Sequence, residues 1–204
     1  MEKAAVTPII SLEKDCIMVK LTKDVLEHCQ KFTCGEEDLD DFFANDAIAY
    51  AKDLMGKTYC WLLKNDDTKI VAMVTLANAG IQTTHLPNNP KRKLNKHIAY
   101  NKRGRTYPAV LIGRLGVATD YQGKDYMIGA QLMNFVKPWF SGEDNKTGCR
   151  FILVDAVNKE RTIKYYERNG FIPLFPRIED EKIFYDIPME EDLRTRMFFH
   201  DLID

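Results

Sequence analysis

VLIGRLGVATDYQGKDYMIGAQL, residues 110–132, passes from the hydrophobic period of a strand to that of a helix across a glycine-bearing turn. Val110, Leu111, Ile112, Leu115 and Val117 are apolar at both parities, as in a strand covered on both faces. Ile128, Leu132, Phe135, Val136 and Trp139 then recur at helical spacing. Between the two lie Gln122, Gly123, Lys124 and Gly129, where backbone N–H groups at a helix start point outward and suit a phosphate. A strand feeding a helix through such a turn is the unit of an α/β fold.

Downstream, VDAVNKERTIKYYERNGF (residues 154–171) follows the same plan: a strand over 151–155, an asparagine at Asn158, and a helix closed by Gly170. Upstream, residues 16–21 read as a first strand and a short helix ends near Cys29. Leu39, Phe42, Phe43, Ala47, Ile48, Ala51 and Leu54 form one helical stripe, with Glu36, Glu37 and Asp38 favouring its N-terminal end through the helix dipole. Residues 58–63 and 70–76 form a hairpin around Asn65-Asp66-Asp67-Thr68. Residues 78–108 read as one long connection, of a length that usually carries function. After 171–175, a strand over 183–187 returns around the acidic turn Glu179-Asp180-Glu181. Leu193, Met197, Phe198 and Leu202 then predict a terminal helix that docks on its own domain, a homodimer contact being the alternative. The predicted organisation is one domain over residues 1–188 with an added C-terminal helix over 189–204.

Composition narrows the function classes. A formal net charge of −1 argues against a protein that holds nucleic acid across its whole surface. Five cysteines without a C-x-x-C pair signal neither a disulfide framework nor a zinc site. The N-terminus has an early acid and no apolar run suited to a signal peptide, and no stretch approaches the ~20 apolar residues of a membrane span, so a cytoplasmic protein without a membrane partner is expected. One local feature departs from the average. Between Lys91 and Arg105, Lys91, Arg92, Lys93, Lys96, Lys102, Arg103 and Arg105 occur with no acid among them. Such a run either contacts phosphates or is a solvated face, and His97 and Tyr100 offer rings for stacking.

The 110–132 segment resembles the acyl-CoA-binding motif of the GNAT superfamily of N-acyltransferases, in which a Leu-x-Val strand precedes a loop of the form Gln/Arg-x-x-Gly-x-Gly/Ala. Leu115-Gly116-Val117 matches the strand part. If Gln122 opens the loop, Asp125 and Met127 stand where glycines belong; if Gly129 closes it, Lys124 opens it and Met127 replaces the inner glycine. A two-residue insertion reconciles the alignments, provided that the Asp125 carboxylate turns to solvent. Asn158 and the ending Tyr166-x-x-x-Gly170-Phe171 match the superfamily's second signature. Within the superfamily, FTCGEEDLDDFFANDA, TYPAVLIGRLGV with its Arg114, and the 166–171 ending are similar to the acetyltransferase toxins of toxin–antitoxin pairs, which acetylate aminoacyl-tRNA. The chain departs from them by its longer C-terminus, slightly acidic charge and altered phosphate turn.

The resemblance implies a GNAT fold: a central mixed six- to seven-stranded sheet flanked by helices, with the C-terminal helix added. It implies acetyl-CoA as co-substrate, backbone contacts from Leu115, Gly116 and Val117, a pyrophosphate loop of Gln122, Gly123, Lys124, Gly129 and Ala130, and an Asn158 hydrogen bond to the pantetheine arm. Asn158 also suits a helix cap. Tyr166 matches the tyrosine that serves the leaving sulfur, the alternative being a core aromatic. Acetyl transfer to a primary amine is the implied activity. Acetylation of aminoacyl-tRNA through residues 91–105, and a CoA-binding module without turnover, are the alternatives. No general base declares itself.

Overall fold

A computed structural model describes residues 10–203 apart from His85, Tyr100, Asn101, Lys102, Arg103, Arg105 and Lys124. The chain builds a seven-stranded mixed sheet in the order β1-β2-β3-β4-β5-β7-β6, comprising β1 (Cys16–Lys20), β2 (Lys57–Leu63), β3 (Asp66–Gln82), β4 (Thr106–Val117), β5 (Phe151–Val157), β6 (Ile172–Pro173) and β7 (Thr195–Asp201). Eight helices flank it among the described residues: α1 (Leu12–Asp15), α2 (Lys23–His28), α3 (Glu37–Asp41), α4 (Ala47–Lys52), α5 (Asn88–Leu94), α6 (Ile128–Ser141), α7 (Glu160–Arg168) and α8 (Ile178–Phe184). The chain divides into two compact units, residues 1–77 with 113–136 and residues 78–112 with 137–204.

In the first unit, β1, β2 and β3 form an antiparallel meander. The hairpin turn is the pair Lys64-Asn65, because Leu63 pairs with Asp66 and a register shift takes up the residues expected in a longer turn. The carbonyls of Asp67 and Thr68 are not stranded by that shift. The Cys29 thiol and the Gln30 N–H donate to them at 3.5 and 2.8 Å. The predicted helix over 36–54 is broken by a π-helical stretch, Phe42–Asp46, between α3 and α4. Its extra residue per turn brings Phe42, Phe43 and Ala47 into one core with Leu21, Cys60, Leu62, Ile70 and Met73. Leu54, placed in the stripe by periodicity, instead ends the helix at φ +58° and is 89% exposed.

In the second unit, β4 and β5 run parallel from Ala109↔Phe151 to Ile112↔Val154, and β7 pairs antiparallel with the whole of β5. Ile81, Leu94, Tyr107, Phe151, Leu153, Phe175 and Phe199 share its core. Three expectations are corrected in this unit. The long connection over 78–108 is shortened at both ends, since β3 continues to Gln82 and β4 begins at Thr106, with α5 between them. The acidic stretch 179–181 lies in the first turn of α8, so residues 183–187 form no strand. The terminal helix expected over 189–204 is strand β7. Adjacent Phe198 and Phe199 are both buried, which suits a strand covered on its two faces, and seven ladder pairs with β5 outweigh the i, i+4 spacing of Leu193 and Met197.

Candidate active site

The first unit holds the glycine-bearing turn. β4 ends at Val117, a 3₁₀ turn spans Thr119–Tyr121, and α6 starts at Ile128. Gly116 is a glycine for packing reasons: a Cβ there would meet Phe43 Cε2 at 3.1 Å and Cys34 Cβ and Phe32 Cζ at 3.2 Å. Gly123 is a glycine for conformational reasons, with φ +116° and open space where its Cβ would stand. The Met127 N–H donates to the Gly123 carbonyl at 3.2 Å, closing the turn, while Met127 itself sits at φ +51°, a strained value for a side chain of that size. Asp125 is exposed, the orientation a nearby anion requires. Leu115, Gly116, Val117, Gly123, Gly129 and Ala130 are thus gathered on one strand–turn–helix, and Lys124 lies outside the described residues.

The Gln122 side chain is committed within the protein. Its side-chain amide donates to the carbonyls of Cys34 and Val117, both at 2.8 Å, and so fastens the end of β4 to the loop before α3. That loop is itself clamped by Asp40, which accepts from the Cys34 N–H at 2.7 Å and the Thr33 hydroxyl at 2.5 Å. Although burial pushes the Asp40 carboxyl up, these hydrogen bonds outweigh it and hold its pKa below the usual value. Gln131 does similar work on the other side of the turn, donating to the Ile10 and Tyr126 carbonyls and accepting from the Leu12 N–H. Neither Asp40 nor Gln131 is singled out by sequence. Apart from the Thr33 hydroxyl their partners are backbone groups, one of them 121 residues away, which leave no side-chain pattern to read.

The second unit holds Tyr166 and Asn158. α7 closes with a left-handed Gly170 at φ +77°, and the Phe171 N–H returns to the Tyr166 carbonyl at 3.0 Å. Tyr166 is 8% exposed, its ring edge-on to Tyr165 at 5.0 Å and Phe171 at 5.5 Å between centroids. Among the described residues its hydroxyl has no hydrogen-bond partner. Burial first, and the charge of Asp155 second, push its pKa up to about 12, so it is a neutral donor at any physiological pH. Asn158 does not cap α7. Lys159 is the N-cap residue, and the Asn158 side-chain amide donates instead to the Leu193 carbonyl at 3.0 Å while its N–H donates to the Arg194 carbonyl at 2.9 Å. The cap reading is corrected, and the Asn158 side-chain oxygen is the atom left for a ligand's N–H.

The described part of the basic run lies in and just after α5. Asn88, Lys91, Arg92, Lys93, Asn95 and Lys96 line an open depression of about 520 Å³. Lys102, Arg103, Arg105 and Tyr100 fall outside the described residues. No helix among the described residues is long and apolar enough to cross a membrane.

No family model matches the chain. Its fold is similar to that of a solved tyrosine-to-phenylalanine mutant of KacT, with 19% identity over 93% of this chain and 96% of that one and a TM-score of 0.63. It is also similar to AtaT complexed with acetyl-methionyl-tRNAfMet, with 22% identity, 92% and 95% coverage and a TM-score of 0.62. AtaTR bound with AcCoA matches at 20% identity, 93% and 95% coverage and a TM-score of 0.61. Over more than nine-tenths of its length, then, the chain shares the GNAT fold of these structures.

Proposed function

We propose that this protein transfers an acetyl group from acetyl-CoA to a primary amine by direct attack of the amine on the thioester. The observation that carries the reading is Tyr166, a neutral phenol held at the end of α7 with an uncommitted hydroxyl, in a fold that AtaTR displays with AcCoA bound. In this reading the turn at Gly123 and the first turn of α6 take the pyrophosphate, and the Asn158 side-chain oxygen accepts from the pantetheine arm. Gln122 serves as a brace for the turn rather than a ligand. Tyr166 hydrogen-bonds the departing sulfur. A reference thiol titrates near ~8.5, so complete proton transfer from a phenol at about 12 is uphill by roughly 5 kcal/mol. Stabilisation of the thiolate by a hydrogen bond is the cheaper course.

The acceptor we favour is the α-amine of aminoacyl-tRNA. An α-amine, with a reference pKa near ~7.7, is already substantially neutral at physiological pH, whereas a lysine near ~10.4 is not. The basic lining of the α5 depression suits a phosphate backbone, and AtaT is seen with acetyl-methionyl-tRNAfMet. Incubation of the protein with an unfractionated aminoacyl-tRNA pool and labelled acetyl-CoA tests this: label on the aminoacyl group supports it. Joint replacement of Lys91, Arg92 and Lys93 by Ala should then weaken tRNA acetylation and flatten its salt dependence, the log–log slope falling by about 0.7–0.9 for each phosphate that is no longer neutralised. Label on small amines with none on any charged tRNA moves the acceptor to a small molecule. Binding of acetyl-CoA without transfer to any amine leaves the CoA-binding module.

A further inference from the structure

Helix α8 presents apolar side chains to solvent and keeps charged ones inside. Glu181 and Lys182 are buried, whereas Ile183, Tyr185 and Met189, on the helix and the turn that follows it, are between 42% and 67% exposed. These three belong to one fixed stretch of surface. At the end of α8, Asp186 takes the left-handed conformation at φ +56°, its N–H donating to the Ile183 carbonyl at 3.3 Å while the Ile187 N–H donates to the Lys182 carbonyl at 2.9 Å. That closure folds the chain back on the helix. The Lys182 ammonium then fastens the Met189 carbonyl at 2.7 Å, and the Tyr185 hydroxyl donates to the Met197 sulfur at 3.5 Å. Around this strip the charge is of one sign. Glu179, Asp186, Glu190, Glu191 and Asp192 are exposed and form no ion pair among the described residues. The one cation between Arg177 and Arg194 in the sequence is Lys182, which is turned inward. No strand edge is open beside the strip, since β7 pairs with β5 and β6, and the Met197 N–H and carbonyl are taken by Glu181 and the Leu174 N–H.

We propose that this strip is a docking surface for an amphipathic helix with basic flanks, its apolar residues seated on Ile183, Tyr185 and Met189 and its lysines or arginines facing Asp186, Glu190 and Glu191. The surface goes beyond the acetyltransferase reading and uses none of the residues assigned to it. Contiguous apolar surface rimmed by polar groups marks an interaction site. The acids then select the partner. They repel phosphate backbones and anionic lipid headgroups, and they attract a cationic protein segment. Because the backbone offers no ladder to join, the partner brings side chains rather than a strand, which is the mode of an apolar helix face laid on an apolar surface. The acidic rim steers and orients the encounter, and the apolar strip supplies the affinity.

The test titrates the full chain into a fluorescein-labelled peptide of leucine and lysine, about 18 residues long, whose leucines line one helical face, with anisotropy as the readout. A peptide of the same composition with its leucines scattered is the control. The one-faced peptide should bind at least about tenfold more tightly than the scattered one. Joint Ile183→Ser and Met189→Ser should weaken it by at least about tenfold with the melting temperature unchanged, as should joint Glu190→Lys and Glu191→Lys at low salt. Equal binding of the two peptides shows attraction by charge alone and overturns the docking surface. So does a Ser double variant that binds as well as wild type, because the peptide then sits elsewhere, the acidic α3 being the other candidate. Sedimentation of the unliganded chain is the third arm: a dimer that the Ser double variant abolishes gives the strip to a second copy and overturns the peptide assignment. If the Ser variant melts early, the Lys double variant decides alone, since the Glu190 and Glu191 carboxylates bond nothing among the described residues. Acetyl transfer plays no part in the readout, so failure here leaves the acetyltransferase reading untouched.

Discussion

The phenol of Tyr166 combines two properties that its sequence motif alone does not confer, burial of its ring and an uncommitted hydroxyl. The hydroxyl is not one of the fully buried polar atoms that lack a partner, so it reaches the surface from an otherwise buried ring and stands open to a ligand. We therefore expect Tyr166→Phe to lower acetyl transfer by about 10²–10⁴-fold while acetyl-CoA affinity and melting temperature change little. Steady-state kinetics with calorimetry check this, and turnover within a few-fold of wild type would return Tyr166 to the core. Tyr165, its neighbour on α7 and edge-on to it, also has its pKa raised by burial.

Among the elements, α8 and β7 are the two that periodicity misreads, and one buried group explains both errors. Glu181 is 1% exposed although it sits in the acidic run, whereas Ile183 is 67% exposed. The helix is amphipathic in the inverse sense because the Glu181 carboxylate fastens β7 through Arg196 and the Met197 N–H, with Arg196 also donating to the Phe175 carbonyl at 2.8 Å. Removing one partner of a buried, hydrogen-bonded pair strands the other charge, which typically costs about 3–5 kcal/mol. Glu181→Ala should accordingly destabilise the fold by that amount in a urea titration, while Glu179→Ala on the exposed side of the same helix should shift it by less than about 0.5 kcal/mol. Equal effects would mean that the Glu181 pair does not hold the strand in place. The π-helical stretch at Phe42–Asp46 teaches the same lesson. A stripe at 3.6-residue spacing announces a helix but not the wider turn that seats Phe42 and Phe43 together.

Across the whole molecule, ionisable groups with raised pKa values set a limit on the alkaline side. Burial lifts Cys16 and Cys34 to about 11, Cys60 to about 12, and Tyr166 and Tyr185 to about 12. Each is an acid whose folded value lies above its unfolded one, so its contribution is whole below the unfolded pKa of 9.0 for thiols and 10.0 for phenols and is lost as pH rises through the folded values. Melting temperature should therefore be flat through neutrality and fall steadily between about pH 9 and 12; a flat profile to about pH 11 would contradict the burial of these groups. Acetyl-CoA should act in the opposite sense, adding about 2.7 kcal/mol at ~100 times its Kd, and a melting temperature unmoved by millimolar acetyl-CoA would argue against its binding. The strand–turn–helix over 110–132, the meander before it and the 151–171 unit are legible in sequence because their residues pack locally with a clear period, which also makes Gly123, Gly129 and Tyr166 visible as proposed site residues. Tertiary structure decided the rest. Gln122 became a brace because two carbonyls distant from each other in sequence converge on its amide, Asn158 became a tie to residues 193 and 194, and the C-terminus became a strand because β5 offered it a ladder. Periodicity records which face of an element is apolar, but hydrogen bonds between residues far apart in sequence depend on where the chain brings their atoms together, and no local pattern encodes that.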